Sequence, residues 1–370
     1  MLSALFQVLL LCTPFLISLP LSSAETCTID YSGDASIDDA PAVLDAFDRC
    51  GNGGVIVFQN STYHINSVMN TTGLQDVVVQ LQGTLLWSDD IDYWLDNSMP
   101  IGYQNQSTVW FFGGDNVTFE GYGCGTFDGN GQAWYNFVNG QSNYPNRPHA
   151  FTPWYLTNSE VTGLRFVQSQ MWTMSILHSD SVLFQNIYVN STSSNRTPAR
   201  NTDGADTIFS SNIHFDQWTV ANGDDSISMK ANSTDITITN CTFYRGLGIA
   251  IGSIGQYKDV YETIENIYAE NIQYYDTRHA AYFKTWTGDQ VGYPPNGGGG
   301  GLGGTYTLPM QGLWGETQLM IHIIRLEYDF HEPAWLIHGR ICFYQSMYNI
   351  LWHSGELLRL EIPDSRYYVV

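Results

Sequence analysis

The 370-residue chain reads as an all-β solenoid, a stack of short strands closed at one end by a short N-terminal helix. Two observations predict it. A loose phrase, an Asn close to an aliphatic-x-aliphatic or aliphatic-x-aromatic step, recurs at roughly 20–30 residues, the range of solenoid repeats. It stands at Asn116-Val117-Thr118-Phe119, Asn186-Ile187-Tyr188-Val189, Asn212-Ile213-His214-Phe215 and Asn266-Ile267-Tyr268. The strand candidates at 54–58, 77–81, 117–120, 164–167, 182–189, 213–220, 236–243 and 264–268 are separated by Asn, Gly, Ser and Asp. One coil cannot bury its apolar face alone, so stacked coils would supply a continuous core. A β-sandwich is the alternative, weakened by the scarcity of Asn-Gly hairpin signals.

The one convincing helix spans 38–50. Ala40, Val43, Leu44 and Phe47 follow helical spacing, Asp38 and Asp39 sit near its start, and Gly51 stops it. Ahead of it, 1–24 is an apolar run closing on Ser22-Ser23-Ala24, a secretory signal peptide cut after Ala24. Pro14 and Pro20 interrupt the run, which counts against a membrane anchor. Eight acceptor sequons follow, at Asn60, Asn70, Asn105, Asn116, Asn190, Asn195, Asn232 and Asn240, as in an extracellular glycoprotein. Cys12 leaves with the leader. Of the five cysteines that remain, widely spaced and unlike a zinc site, Cys27 with Cys50 is the best disulfide pair and at least one thiol is left over.

A net charge of −22 excludes nucleic acid and anionic membrane as partners, and we expect a monomer. It also disfavours a strongly anionic polymer, unless a local basic cleft overrides the global field. The β-helical unit should occupy 25–304. Beyond the glycine run 297–304 the composition changes, with no lysine and one asparagine in 305–370. That segment is either a distinct C-terminal subdomain or a truncated or frame-shifted end, and the second reading fits better.

The chemistry-bearing stretch lies between Asn201 and Trp286. Asn201-Thr202-Asp203-Gly204 precedes Asn222-Gly223-Asp224-Asp225 by about one strand-and-turn period. Ile227 and Met229 belong in the core, so Asp225 shares their inward parity unless the backbone bends at Gly223. Asp224, Ser226, Ser228 and Lys230 should face outward. If the coils stack in register, the three acids meet on the outer face. Carboxylates that close divide into one protonated acid and charged neighbours, which is the division glycosidic cleavage needs. Turn capping or calcium binding are the plainer roles for such residues. Lone histidines such as His149 and His279 read as structural.

These motifs resemble the polygalacturonase-like glycoside hydrolases that cut pectin. The resemblance covers 27–301. It rests on the two acidic motifs, Gly252-Ser253-Ile254-Gly255-Gln256-Tyr257, Lys284 before Trp286, and Gly125-Thr126-Phe127-Asp128-Gly129-Asn130-Gly131. It implies a right-handed parallel β-helix and an inverting mechanism without metal or organic cofactor. Asp224 would be the general acid, and Asp203 with Asp225 would hold and deprotonate the water. Asn201, Lys284, Tyr282 and Gln256 would shape the sugar site. Two departures bear on substrate. The family's Gly-His-Gly is Gly246-Leu247-Gly248, and its Arg-Ile-Lys is Tyr282-Phe283-Lys284. The lost guanidinium is the group suited to a galacturonate carboxylate. The chain should therefore prefer a less charged, more apolar sugar, as an exo-acting α-L-rhamnosidase on pectic or rhamnose-containing oligosaccharides. An exo-polygalacturonase or rhamnogalacturonan galacturonohydrolase is the alternative within the class, and a non-catalytic carbohydrate-binding solenoid the alternative outside it. Ser226 replaces the half-cystine usual after the Asp pair.

Overall fold

A computed structural model describes residues 24–285, with short strands beyond them at Leu302–Gly303, Met310–Gly312 and Ile321–His322. The leader 1–23, the stretch 286–301 with Trp286, and nearly all of 304–370 with Cys342 lie outside the described residues.

The coils stack as a right-handed parallel β-helix with three strand-bearing faces. The first face pairs Trp110–Glu120, Thr152–Thr162, Asp180–Gln185, Ser211–Asp216, Ser233–Thr239 and Ile264–Glu270 in parallel. The second runs from Thr62–Ile65 through Arg165–Val167, Tyr188–Asn190, Thr219–Asn222 and Thr242–Arg245 to Gln273–Tyr275. The third carries Ser175–Leu177, Ala205–Ile208, Asp225–Met229, Gly248–Ile254 and Ala281–Thr285.

In-register pairing places like residues above one another. Phe119, Val161, Phe184, Phe215, Ile238 and Ala269 form one inward column. Phe127, Phe166, Val189, Val220, Phe243 and Tyr274 form another. Near the N-terminal end the core is aromatic, with Trp110 fully buried and stacked 5.6 Å from Phe127. Removing a buried aromatic of this kind costs about 3–5 kcal/mol.

The recurrent asparagines have a physical reason. Asn116, Asn186, Asn212 and Asn266 all hold positive φ, between 52° and 55°. Asn tolerates this left-handed region better than other side chains. At the corner between the first two faces an Asn or Gln in that conformation is followed by a buried residue: Asn186-Ile187, Gln217-Trp218, Asn240-Cys241 and Asn271-Ile272. The strands expected at 182–189, 213–220 and 236–243 are therefore each two strands broken by such a corner.

Helix α1 (Ala40–Cys50) covers the N-terminal end, burying Ala40, Val43, Ala46, Phe47 and Cys50. It starts two residues later than expected. Asp38 Oδ1 accepts from the amides of both Ala40 and Asn66, and the Asp39 carboxylate accepts from Ser32 and His64. These acids tie the helix start to the first coil. Two short helices went unread, α2 (Ile91–Asn97) and α3 (Gly131–Val138). Among the described residues no helix is long and apolar enough to cross a membrane.

Cys27 and Cys50 are disulfide-bonded across a separation of 23 residues, fastening α1 to the first strand. Cys124 is exposed and free, and Cys241 is buried and free, filling a corner position held by Trp218 and Ile272 in neighbouring coils. Replacing Cys27 and Cys50 together by Ser should cost about 2–4 kcal/mol of stability, because the cross-link restricts the unfolded chain. A chemical-denaturation midpoint unchanged by the double substitution would contradict this anchoring role.

Candidate active site

The third face begins at the corner where each coil leaves the second face, and the acidic motifs occupy that corner in successive coils. Asp203 ends the connection into Ala205–Ile208, while Asp224 and Asp225 open the next coil's strand. Gly204 N donates to Asp225 O at 2.9 Å, locking the two motifs side by side. Two glycines allow this closeness. A Cβ at Gly223 would lie 2.0 Å from Ala199 O, and one at Gly204 would lie 2.3 Å from Ser226 O. Gly223 thus serves close approach, not a left-handed bend.

The structure brings the three acids together: each offers a carboxylate oxygen within 4.8 Å of the others. Asp203 and Asp225 are 2% and 0% exposed, and Asp224 is half-buried. The cluster lies at the floor of the corner, with Asp224 as its exposed member. Its three side chains are held differently. Asp224 Oδ2 accepts from the amide and side chain of Asn201 at 3.1 and 3.4 Å, and Asp224 Oδ1 from the amide of Asp225 at 3.0 Å. Asp225 accepts from Tyr282 Oη on one oxygen and from Lys284 Nζ, 2.5 Å away, on the other. Asp203 Oδ1 is buried with no hydrogen-bond partner among the described residues.

Asp225 therefore reaches the same side as Tyr282 and Lys284, not the core side. The register slips between Asp225 and Ile227 against the next coil, and this irregularity breaks the alternation that parity assumes. Ser226, expected to face outward, is fully buried, and its hydroxyl has no hydrogen-bond partner among the described residues.

Burial dominates the electrostatics. It drives the Asp203 carboxyl well above the ordinary range, reinforced by repulsion from Asp224, Asp206 and Asp225. Burial and then Asp225 raise Asp224, opposed by the Lys284 ammonium and by the amides of Asn201 and Asp225. Lys284 sits well above the usual lysine range, because the field of Asp225, Tyr282, Asp224 and Asp203 outweighs its own desolvation. An acidic cluster could also ligate a cation, and these three residues have the donor type for it. With Lys284 Nζ already on Asp225, a cation there would face an ammonium, which argues against a metal.

Other expected site residues are placed as follows. Asn201 accepts from Asn143 N at 2.8 Å and Ser142 Oγ at 3.1 Å while donating to Asp224, so it positions Asp224 and has little capacity left for a sugar. Gln256 is buried with its amide on Ser253 O at 3.3 Å, inside its own loop and bonded to none of the acids. Leu247 is half-buried and its N–H donates to Asp224 O at 2.8 Å, so it flanks the cluster.

Sequence reasoning missed a second charged layer. Asp206, fully buried, lies in an outward column with Ser175, Ser228, Ala250 and Tyr282. Its Oδ1 is 3.1 Å from Lys230 Nζ, at ion-pair distance but without hydrogen-bond geometry. Burial pushes Asp206 up to about 7, against the pull of Lys230. Lys230 in turn lies 4.6 Å over the Trp172 ring, which stacks on His149 at 4.4 Å. His149 is wholly buried, hydrogen-bonded to Ser175 Oγ, and held well below its ordinary range by burial, Lys230 and Arg147. It is structural. The one available signal for Asp206 was its place three residues after Asp203, which gains meaning only from register.

Residues 56–292 match the family model described as glycosyl hydrolases family 28. The chain is 61% identical over 277 residues to alpha-L-rhamnosidase rgxB of Aspergillus niger, covering 75% of this chain and 65% of that one. It is 36% identical over 289 residues to exopolygalacturonase X of Aspergillus niger, covering 77% of this chain and 66% of that one. The present chain thus spans about two thirds of the length of these relatives. Among solved structures, it is similar to an endo-xylogalacturonan hydrolase from Aspergillus tubingensis, with a TM-score of 0.66 at 27% identity, covering 79% of this chain and 86% of that one. By its sequence match and its three-faced parallel fold, the chain belongs to family 28 of the glycosyl hydrolases.

Proposed function

We propose that the chain is a secreted, monomeric, inverting glycoside hydrolase that removes terminal α-L-rhamnose from pectic oligosaccharides. The observation that carries this reading is the meeting of Asp203, Asp224 and Asp225 at one corner, each held in a different way. Asp224, raised and half-buried, is the acid: it gives its proton to the glycosidic oxygen as the bond to the sugar's anomeric carbon breaks. Water attacks that carbon from the opposite side and passes a proton to Asp203, whose Oδ1 is free to accept it. Asp225 is anchored through both oxygens and orients the water.

The short spacing favours a second stereochemical reading. Inverting enzymes usually set their carboxyl groups roughly 6.5–9.5 Å apart and retaining ones about 5 Å, and here the nearest oxygens fall within 4.8 Å. A retaining route needs a free carboxylate nucleophile beside the sugar. Asp225 is occupied by Tyr282 and Lys284, and Asp203 is buried. Inversion fits this arrangement better.

For the substrate, Tyr282 stands where the family pattern has arginine, and its hydroxyl is spent on Asp225. Within the cluster the Lys284 ammonium is likewise spent on Asp225. Among the described residues this leaves no unpaired lysine in the cluster for a uronate carboxylate, and the name of the rhamnosidase relative supports that reading. Lys284 together with the exopolygalacturonase relative favours the alternative, an exo-acting galacturonidase. Secretion and glycosylation are supported by the sequons: seven of the eight acceptor asparagines are exposed and Asn190 is half-buried.

Asp224→Asn should lower kcat on an aryl α-L-rhamnoside by roughly 10²–10⁴-fold with little change in KM, the usual loss for a positioned general acid. In the wild type, proton NMR during turnover should show β-L-rhamnose forming first. First-formed α-rhamnose would overturn inversion, and release of galacturonate alone would overturn the substrate.

The pH profile tests the acid separately. Asp224 must be protonated, so activity falls as pH rises through its raised pKa. The Lys284 ammonium pulls that pKa down. Lys284→Met should therefore move the alkaline limb of kcat to higher pH while lowering the plateau, because Asp225 loses its anchor. A limb that stays put or moves to lower pH would remove Asp224 from the acid role.

A further inference from the structure

We infer that Asn232 carries an N-linked glycan whose innermost sugar stacks on Phe209, so that the glycan completes a column of aromatic rings and is part of the fold. This rests on the chain being a secreted glycoprotein, and adds to it a specific site and a specific contact. The column stands at the corner between the third and first faces. Register sets Tyr155, His178, Phe209 and Asn232 one above another, one from each successive coil. All four hold positive φ, between 49° and 55°.

A left-handed backbone is uncommon for bulky residues and persists only where the surroundings enforce it. Here the rings do so. The Tyr155 ring lies 4.7 Å from that of His178 with 13° between their planes, and His178 lies 5.1 Å from Phe209 at 9°. Those separations are close to the roughly 4.8 Å between neighbouring strands, so coil stacking and ring stacking agree. Trp154 meets His178, and Tyr103 meets Phe209, in T-shaped contacts that fix the rings' orientation. The next member of the column is not a ring. It is Asn232, exposed, in the sequon Asn232-Ser233-Thr234.

The Asn232 amide is already oriented for a sugar. Its Oδ1 accepts from Thr263 N at 3.0 Å, and because a backbone N–H can only donate, the nitrogen is the opposite end of the amide. That Nδ2 has no hydrogen-bond partner among the described residues. Other acceptor asparagines differ: Asn116 donates from Nδ2 to Asp76 at 2.6 Å, Asn195 to Asn136 at 2.8 Å, and Asn240 to Asp216 at 2.7 Å. A sugar on Asn232 Nδ2 begins one coil away from the Phe209 ring and continues the column. One face of a pyranose is made of C–H groups, which the negative face of an aromatic ring attracts. The sugar thus covers the half-buried Phe209 where the column has Asn in place of a fourth ring.

The test uses the full chain secreted from a fungal host. Glycopeptide mass spectrometry should find Asn232 occupied. A chain with no occupied sequon would overturn the glycoprotein reading and this inference together, whereas a bare Asn232 on a chain glycosylated elsewhere overturns the inference alone. Thr234→Ala removes the sequon without touching Asn232 and should lower the thermal midpoint by roughly 2 °C or more. Thr234→Ser keeps the sequon and should leave the midpoint in place; an equal drop there would assign the loss to the threonine, not the glycan. In a Phe209→Gln background, Gln217 showing that Gln holds this backbone, Thr234→Ala should lower the midpoint no further, because groups in contact are not additive. Equal losses in both backgrounds would overturn the stacking. Finally, the difference between wild type and Thr234→Ala should survive endoglycosidase H, which leaves only the innermost sugar on each asparagine. A difference that trimming abolishes would overturn the role of that sugar.

Discussion

Charge balance in a dry corner is the constraint on which the site depends. Four carboxyl groups, Asp203, Asp206, Asp224 and Asp225, converge where three of them are nearly or wholly buried. Left alone they would repel, and each would be costly to desolvate. Three cations answer them. Lys284 pairs with Asp225 at 2.5 Å and Lys230 with Asp206 at 3.1 Å. Arg147, wholly buried, is lowered to about 10 by burial, yet the fields of Tyr135, Asp203 and Asp224 oppose that loss. Arg147 therefore remains charged at neutral pH and compensates one more negative charge.

The count has a chemical consequence. With Asp225 matched by Lys284, and Asp206, itself raised to about 7, facing Lys230, Arg147 can offset one charge between Asp203 and Asp224. The remaining member of that pair holds a proton, and both carboxyls are raised as such sharing requires. A proton shared by two coupled carboxyls belongs to the pair. In the proposed mechanism it is delivered from whichever carboxyl meets the glycosidic oxygen, and of the two Asp224 is the more exposed. After delivery Asp224 is charged, and Asp203 is the carboxyl that can take the water's proton. The cycle closes when that proton returns to the pair.

How much of this was legible in the chain follows from what periodicity can encode. The Asn phrase revealed the coils because Asn tolerates the left-handed backbone and holds it at Asn116, Asn186, Asn212 and Asn266, while Ser181 and Asp235 hold the Asn212 position in neighbouring coils. The corners stayed hidden because the residue after the corner Asn or Gln is itself buried, so hydrophobicity runs through Ile187, Trp218 and Cys241. Helix α2 is too short to display a helical stripe, whereas α3 carries one, Gly131, Trp134, Tyr135 and Val138, but confined to eight residues between strands. Asp203, Asp224 and Asp225 could be found because each stands in a short motif with its own glycine. Asp206, Lys230 and Arg147 could not, since their partners lie in other coils and only the register unites them.

The groove lined by Arg196, Arg200 and Arg245 illustrates the same limit for charge. A net charge of −22 describes the field far from the molecule, where the acids sum. Within about 10 Å at ordinary ionic strength the field is set by the nearest groups instead. Arg196, Arg200, Arg245 and Arg278 are scattered in sequence, but all lie at the corner between the second and third faces, on either side of the coil that carries Asp224. A substitution such as arginine to Tyr282 removes charge at the acids without making the whole cleft neutral. The solenoid lets one coil lose a charge while its neighbours retain theirs, because each coil presents its own side chains at the corner.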